Sequence, residues 1–411
     1  VRDVMEGLAA RGHEVTVLTT KPDTAMQATP IEFTYPVIRR LHGVRKALSW
    51  AERLTMKEST NRFGVGLVFL RQIWRDMRDL RLIDKSIKKF QPDIIYLGHI
   101  RPLSENILPY LASSSIKLVQ DDGGVTAEWS YENPGLWFRF LTEIQPDSKF
   151  VKKLKAGFVS VVIALSGGCI KKKRIWPENI TVFFNNQVCY QSFVEKQIPH
   201  SHASVIHSGL DINQFTYQST VNSGQVLRMI VPGRIEPSKG QMDAVNLSAQ
   251  LLQVGIDHTL TIAGDPWKKD YLELLEQVVT ERGLRDHVCI IPSLEKNELI
   301  DLYHQSDLCF FPSYHLTGFS RIPLEAMACG CLVISYGNEG SAEIIRENEN
   351  GFLVEEGNSM ELLQLLQRLI ANPAEIERVT KAARQEVEQV YSLPKYLDQI
   401  ESLLQWISNQ R

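Results

Sequence analysis

A chain of 411 residues has room for two domains, each with its own core. With 44% hydrophobic and 23% charged residues it has the balance of a soluble globular protein, and a net charge of −3 excludes a general pull toward nucleic acid. The six cysteines (Cys169, Cys189, Cys289, Cys309, Cys329 and Cys331) are scattered, without a CxxC pair at metal-ligand spacing. They are expected to be reduced thiols of a cytoplasmic protein. No run is long and apolar enough to span a bilayer, and no signal peptide is visible.

In chain order, residues 1–11 read as an amphipathic helix, with Val1, Val4, Met5 and Leu8 on one face. A helix without a preceding strand or cap is an odd natural start, so an upstream segment is expected. Short β-branched runs then alternate with amphipathic stretches. Strands are expected over 14–20, 93–99, 116–121, 160–165 and 204–208, and in a second series over 226–231, 259–264, 288–292, 308–312 and 332–335. Helices are expected over 268–282, 296–305 and 321–329. Apolar strands alternating with helices predict parallel sheets covered on both faces. The polar stretch "GLDINQFTYQSTVNSGQ" separates the two series, and domains are placed at 1–215 and 216–392. Residues 393–411 form a closing amphipathic helix. Ligands of such sheets bind outside the carboxyl ends of the strands.

"VPGRIEPSKGQMDAV" follows the first strand of the second series. Gly233 permits a close backbone turn. Arg234 and Lys239 project from a glycine-bounded loop that runs into a helix, an arrangement suited to a diphosphate. The same pattern is also that of a solvated loop with surface charges. "TGFSRIPLEAMACG" repeats the theme after "LCFFPS". Backbone N–H groups of residues 318–321 at a helix start are expected to face an anion. Glu325, about one turn in, is placed to accept hydrogen bonds from paired ribose hydroxyls, or to act as a favourable N-terminal charge.

"GRIEPSKG", "TIAGDPW", "CIIPSLEKNELIDLYHQSDLCFFPS", "GFSRIPLEAMACGCLVIS" and "AEIIRENENGFLV" stand in the order seen in retaining glycosyltransferases of family four. "SVIHSGLDINQF" resembles the end of that family's first domain, and "VRDVMEGLAARGHEVTVLTT" its first helix and second strand. The resemblance implies a GT-B fold, an α/β architecture of two Rossmann-like doubly wound domains facing across a cleft. It implies a nucleotide-diphospho-sugar donor on the second domain and a glycan, lipid-linked or small-molecule hydroxyl acceptor on the first. The closing helix would cross back to the first domain. By the same resemblance Gly233, Arg234 and Lys239 hold the diphosphate and Glu325 the ribose. Ser293 and Leu294 would border the base, with Gly264 and Asp265 beside it, and Thr317, Gly318, Phe319 and Ser320 would line the donor loop. No metal or other cofactor is expected, because preorganised cations and N–H groups would stabilise the leaving diphosphate.

Two departures stand out. The family's Glu-x7-Glu has Thr317 in place of its first acid, which implies either altered sugar specificity with activity kept or weakened catalysis. The family's opening strand and glycine-rich loop are not seen; such a strand–loop–helix unit takes about 30 residues. A catalytically silent binding relative and a nucleotide-sugar epimerase are the competing functions.

In the first domain, His99 and the Asp121/Asp122 pair end expected strands. His99 reads as a sugar or acceptor contact, or as a histidine satisfied by backbone. The aspartates read as a pair that orients an acceptor hydroxyl or acts as a base, or as an Asx-type turn before Gly123-Gly124. Residues 37–90 carry fourteen Lys or Arg against five Asp or Glu. The 61–90 segment therefore reads as a peripheral membrane contact at the inner membrane face, or as a core helix with a solvated basic face. "KKKRIW" is a second basic patch of the same kind.

Overall fold

The computed structural model describes residues 2–20, 33–42, 62–98, 106–124, 126–132, 136–142, 148–219 and 226–410. The chain divides into two compact units. One comprises Val1–Phe184, Tyr190–Val205 and Ile400–Arg411; the other comprises Asn185–Cys189 and Ile206–Gln399. The last helix, Leu393–Asn409, is thus shared between the two.

In the first unit, β1 (Val17–Thr20) and β2 (Val37–Leu41) form one parallel pair. A second parallel sheet takes the order β3 (Ile94–Leu97), β4 (Lys117–Asp122), β5 (Ile180–Phe184) and β6 (His202–Val205). All five residues of β5 are buried, as expected for a strand covered on both faces. The run 160–165, expected as a strand, is instead the last part of a helix, Lys149–Leu165. Ser148 caps that helix, its Oγ accepting the Phe150 N–H at 3.2 Å. Gly157 stands between the lysine-rich start and the β-branched end, but the helix runs through it, begun by this cap and packed through Phe158. The strand of this region is "ITVFF", fifteen residues after the helix ends at Leu165.

The second unit holds a six-stranded parallel sheet. In chain order its strands are β7 (Leu227–Pro232), β8 (His258–Ala263), β9 (Val288–Ile291), β10 (Leu308–Phe311), β11 (Leu332–Ser335) and β12 (Phe352–Leu353). In space the order is β12-β11-β10-β7-β8-β9. The chain builds outward from β7 in one direction, returns to β10, and builds outward in the other. The doubly wound switch point therefore lies between β7 and β10.

Successive strand residues serve opposite cores, as the pleat requires. Met229, Val231, Leu308, Phe310, Leu332 and Ile334 pack with Val245, Leu251, Leu275 and Leu366. Ile230, Cys309 and Val333 pack on the other face with Tyr303, Leu324, Met327 and Val387. The helix Ile322–Cys329 is small and apolar because it is enclosed: Ala326, Met327, Ala328 and Cys329 have no exposed surface.

Gly240 joins the loop after β7 to the loop after β10. Its φ is +67°, and a Cβ there would lie 2.0 Å from the Pro312 carbonyl oxygen. Gly240→Ala should therefore lower stability by about 2–4 kcal/mol through strain and overpacking, measured by urea unfolding. An unchanged midpoint would show that the two loops can part without cost.

Candidate functional site

At the switch point the loops after β7, β8 and β10 converge on glycine. Gly264, after β8, lies so close to Gly233, after β7, that a Cβ would stand 2.1 Å from the Gly233 carbonyl oxygen. The Gly233 N–H donates to the Ala263 carbonyl at 2.9 Å, continuing the strand pairing into the loops.

Two cations rise from this floor. Arg234 lies over the Trp267 ring, 5.1 Å from its centroid, and pairs with Glu236 at 3.0 Å. Lys239 ends the short 3-10 turn Pro237–Lys239, and its Nζ donates to Glu339 Oε1. Arg234 is about half exposed, whereas the Lys239 and Glu339 side chains are each 10% exposed. The second oxygen of Glu339 is buried without a hydrogen-bond partner among the described residues. One cation is thus accessible, and the other is already matched by an internal carboxylate.

Glu339 also ties two loops together. Its N–H donates to the His315 carbonyl at 3.1 Å, and its carbonyl accepts the Ser320 N–H at 2.9 Å. Its φ is +50°, which a non-glycine residue adopts rarely. The expectation that the N–H groups of residues 318–321 face an anion is corrected at Ser320, whose N–H is committed to this carbonyl. The Gly318 carbonyl accepts from the Asn186 side chain, and Phe319 lies 5.3 Å from the His207 ring. Thr317 Oγ1 stands 3.5 Å from His315 Nδ1.

Glu325, in the first turn of Ile322–Cys329, stands 3.4 Å from the Tyr303 hydroxyl and 3.9 Å from Arg321. Burial pushes its carboxyl above the ordinary range, while Arg321 and the Tyr303 hydroxyl pull the other way. Ser293 adopts a φ of +69° after β9, and its Oγ donates to Asp265 Oδ1 at 2.7 Å. Leu294 beside it is half-buried. The structure therefore gathers Gly233, Arg234, Lys239, Gly264, Thr317, Gly318, Phe319 and Ser320 around the loops at the carboxyl end of one sheet. Ser293 reaches this group through Asp265 and through its N–H bond to the Gly264 carbonyl, at 3.3 Å.

Sequence reading missed Glu339. Its signal was an acid between Asn338 and Gly340 directly after a buried strand, where a tight turn is expected. It also missed Glu343, which accepts both the Gln187 N–H, at 2.8 Å, and His207 Nε2, at 2.8 Å.

In the first unit, His99 lies outside the described residues. Asp121 accepts the Tyr96 hydroxyl at 2.7 Å, and burial raises its carboxyl above the ordinary value. Asp122 has no exposed surface and accepts the N–H groups of Gly124, Thr126 and Ala127 at 3.1, 3.0 and 2.6 Å. It thus caps the helix Thr126–Glu132 in the Asx-turn manner. Burial pushes its carboxyl up to about 6 against these hydrogen bonds.

Residues 217–386 match the family model for Glycosyl transferases group 1, which is less than half of the chain. A glycogen synthase of Mycobacterium tuberculosis is 28% identical over 182 residues, covering 44% of this chain and 43% of that protein. The chain spans about half the length of the curated relatives it matches. The structure is similar to that of a sucrose-phosphate synthase from Thermosynechococcus elongatus, with a TM-score of 0.66 and 18% identity over 99% of this chain and 92% of that one. It is also similar to Anabaena HepE in complex with UDP, with a TM-score of 0.58 and 21% identity over 79% and 82% of the two chains. The fold is GT-B, built on two Rossmann-like parallel-sheet units.

Two outcomes follow from the geometry. Glu339→Gln removes the charge that occupies Lys239, so pyrophosphate affinity should rise about tenfold by titration calorimetry, with melting used to confirm the fold. Equal affinity would show that the pair does not govern anion capture. The second concerns Asp122. Its folded carboxyl keeps a proton up to about 6, against an ordinary value of 3.8. The stability from this group is therefore full below the lower value and lost as pH rises through the upper, by about 3 kcal/mol. Asp122→Asn should flatten that fall between about pH 4 and 6. It should also be less stable overall, because its amide meets the Ala127 N–H donor to donor.

Proposed function

We propose that this chain is a retaining glycosyltransferase resembling family four, transferring a sugar from a nucleotide-diphospho-sugar to a hydroxyl acceptor. The donor would bind the second unit and the acceptor the first. The observation that carries the reading is the cluster at the switch point, where Arg234 and Lys239 stand on a floor of close-packed glycine backbone. The close glycine contacts hold these two cations at the carboxyl ends of the strands, where such sheets bind ligands. The match of residues 217–386 to the group 1 family supports the same reading, as does the likeness to a fold neighbour that binds UDP.

In this proposal Arg234 grips the diphosphate with its planar fork, steadied from behind by Trp267. Lys239 supplies a compact charge to the diphosphate once it leaves Glu339. Glu325 accepts the ribose hydroxyls; its distance from bulk water strengthens those bonds and favours a neutral hydroxyl over a second anion. Ser293 and Leu294 border the base, with Gly264 and Asp265 beside it. As the glycosidic bond breaks, charge accumulates on the diphosphate. Arg234, and Lys239 once released from Glu339, would stabilise it without a divalent metal. Thr317 offers a neutral hydroxyl to the transferred sugar where the resemblance leads one to expect an acid, and Asp121 is the candidate to orient an acceptor hydroxyl. A second reading, a silent nucleotide-binding relative, is favoured by the Lys239–Glu339 pair, which holds one cation neutral in the unliganded chain.

The test is a thermal-shift panel of UDP, GDP, ADP and their sugar conjugates with chelator present. One base should raise the melting temperature; ligand at about 100 times its Kd stabilises by about 2.7 kcal/mol. Arg234→Ala should abolish that rise while keeping the unliganded melt, and Lys239→Ala should abolish it with a lower unliganded melt, because Glu339 is left buried without its partner. A rise retained in both variants would remove the diphosphate assignment. Transfer to a hydroxyl acceptor, followed by NMR of the anomeric proton, separates the enzyme from the silent relative. Loss of transfer on chelation would overturn the metal-free account.

A further inference from the structure

We propose that the helix Lys149–Leu165 is a docking face for an anionic lipid bilayer, lying flat in the headgroup region. Five large apolar side chains on this helix face outward. Phe150, Val151, Leu154, Val161 and Leu165 are 69%, 45%, 57%, 54% and 56% exposed. At about 100° of rotation per residue they fall in a single stripe about 100° wide along the helix.

The face that holds the helix to its unit adjoins this stripe on its Val151 side. Val159 and Val162 are buried there. Phe158 packs against Phe140 at 5.7 Å and Phe69 at 6.4 Å between ring centroids. Lys155 lies over the Phe140 ring and donates to the Leu141 carbonyl. With the inner side satisfied, the exposed residues carry the apolar surface of one short helix well beyond its packed face, which ordinary solvation does not account for.

The charges name the occupant. The helix carries Lys149, Lys152, Lys153 and Lys155 and no acidic residue. The first three are exposed and lie to one side of the stripe near its start, Lys153 nearest to it. Beyond the helix, Lys172, Lys173 and Arg174 are also exposed. The Lys171 carbonyl accepts from Trp137, on the helix Leu136–Thr142 that also carries Phe140. Lysines around an apolar stripe can lay their alkyl stems on the hydrocarbon boundary and hold their ammonium groups among lipid phosphates. A protein partner would need an acidic rim around an apolar groove, whereas an anionic bilayer presents both everywhere.

No helix among the described residues is long and apolar enough to cross a membrane, so the contact is one of lying on the surface. The basic helix Arg62–Phe90, the stretch whose sequence suggested membrane contact, uses its apolar residues differently. Ile73, Leu80 and Ile83 are buried, and so are Asp76 and Asp79 on the same helix. Its exposed apolar surface among the described side chains centres on Leu70 and Trp74, with Arg78 stacked over Trp74 at 4.7 Å. The inference does not rest on the donor assignment, since it concerns another unit.

The experiment is flotation of the full chain with vesicles of phosphatidylcholine alone and of phosphatidylcholine mixed with phosphatidylglycerol. The chain should float with the mixed vesicles, fail to float with the neutral ones, and release as salt is raised. The double variant Phe150→Glu/Leu154→Glu should lose about tenfold or more in vesicle affinity with an unchanged melt, because both side chains are exposed. Lys149→Glu/Lys152→Glu should lose binding in the same way. Equal binding of the apolar double variant and the parent would overturn the proposal, as would failure of the parent to bind mixed vesicles. Concentration-dependent self-association abolished by Leu154→Glu, without vesicle binding, would overturn it in favour of a contact between copies of the chain.

Discussion

The second unit depends on backbone meeting backbone where three strand ends converge. Gly264 touches Gly233, and Gly240 touches Pro312. These contacts bring the loop after β7 within reach of the loops after β8 and β10, and they leave no room for a β-carbon. Everything placed on those loops inherits its position from this floor. Arg234 follows Gly233 directly, and Lys239 precedes Gly240. Residues 315–320 are held by Glu339 rather than by their own secondary structure. The Gly240–Pro312 contact lies where the winding of the sheet reverses, between β7 and β10, and the Gly264–Gly233 contact joins the neighbouring strands β7 and β8.

Electrostatics at this place is a matter of competition. A loop that offers a buried ammonium must satisfy it when no ligand is present, because an unpaired buried charge is strongly destabilising. Glu339 meets that need for Lys239, while solvent, Trp267 and Glu236 meet it for Arg234. The same carboxylate whose side chain neutralises the lysine clamps the neighbouring loop through its backbone. Charge and loop position are therefore coupled in one residue. In the first unit a carboxylate does purely local work: Asp122 gathers three N–H groups at the start of a helix and is hidden by doing so.

The alternation of β-branched runs with amphipathic stretches was enough to indicate two parallel-sheet units, because periods of 2 and 3.6 are local properties of the chain. The glycines at 233, 240 and 264 and the cations beside them were legible for the same reason, each being announced by its immediate neighbours. Tertiary structure decided what depended on residues far apart. Lys239 and Glu339 are 100 positions apart, and no local pattern joins them. Whether 160–165 became strand or helix turned on a cap at Ser148 and on aromatic packing through Phe158, since a short β-branched run fits either state. The outward turn of Phe150 and Leu154 was likewise beyond the sequence. An apolar helical residue looks the same in a string whether it faces a core or solvent, and only the burial of Val159 and Val162 in the folded unit separates the two.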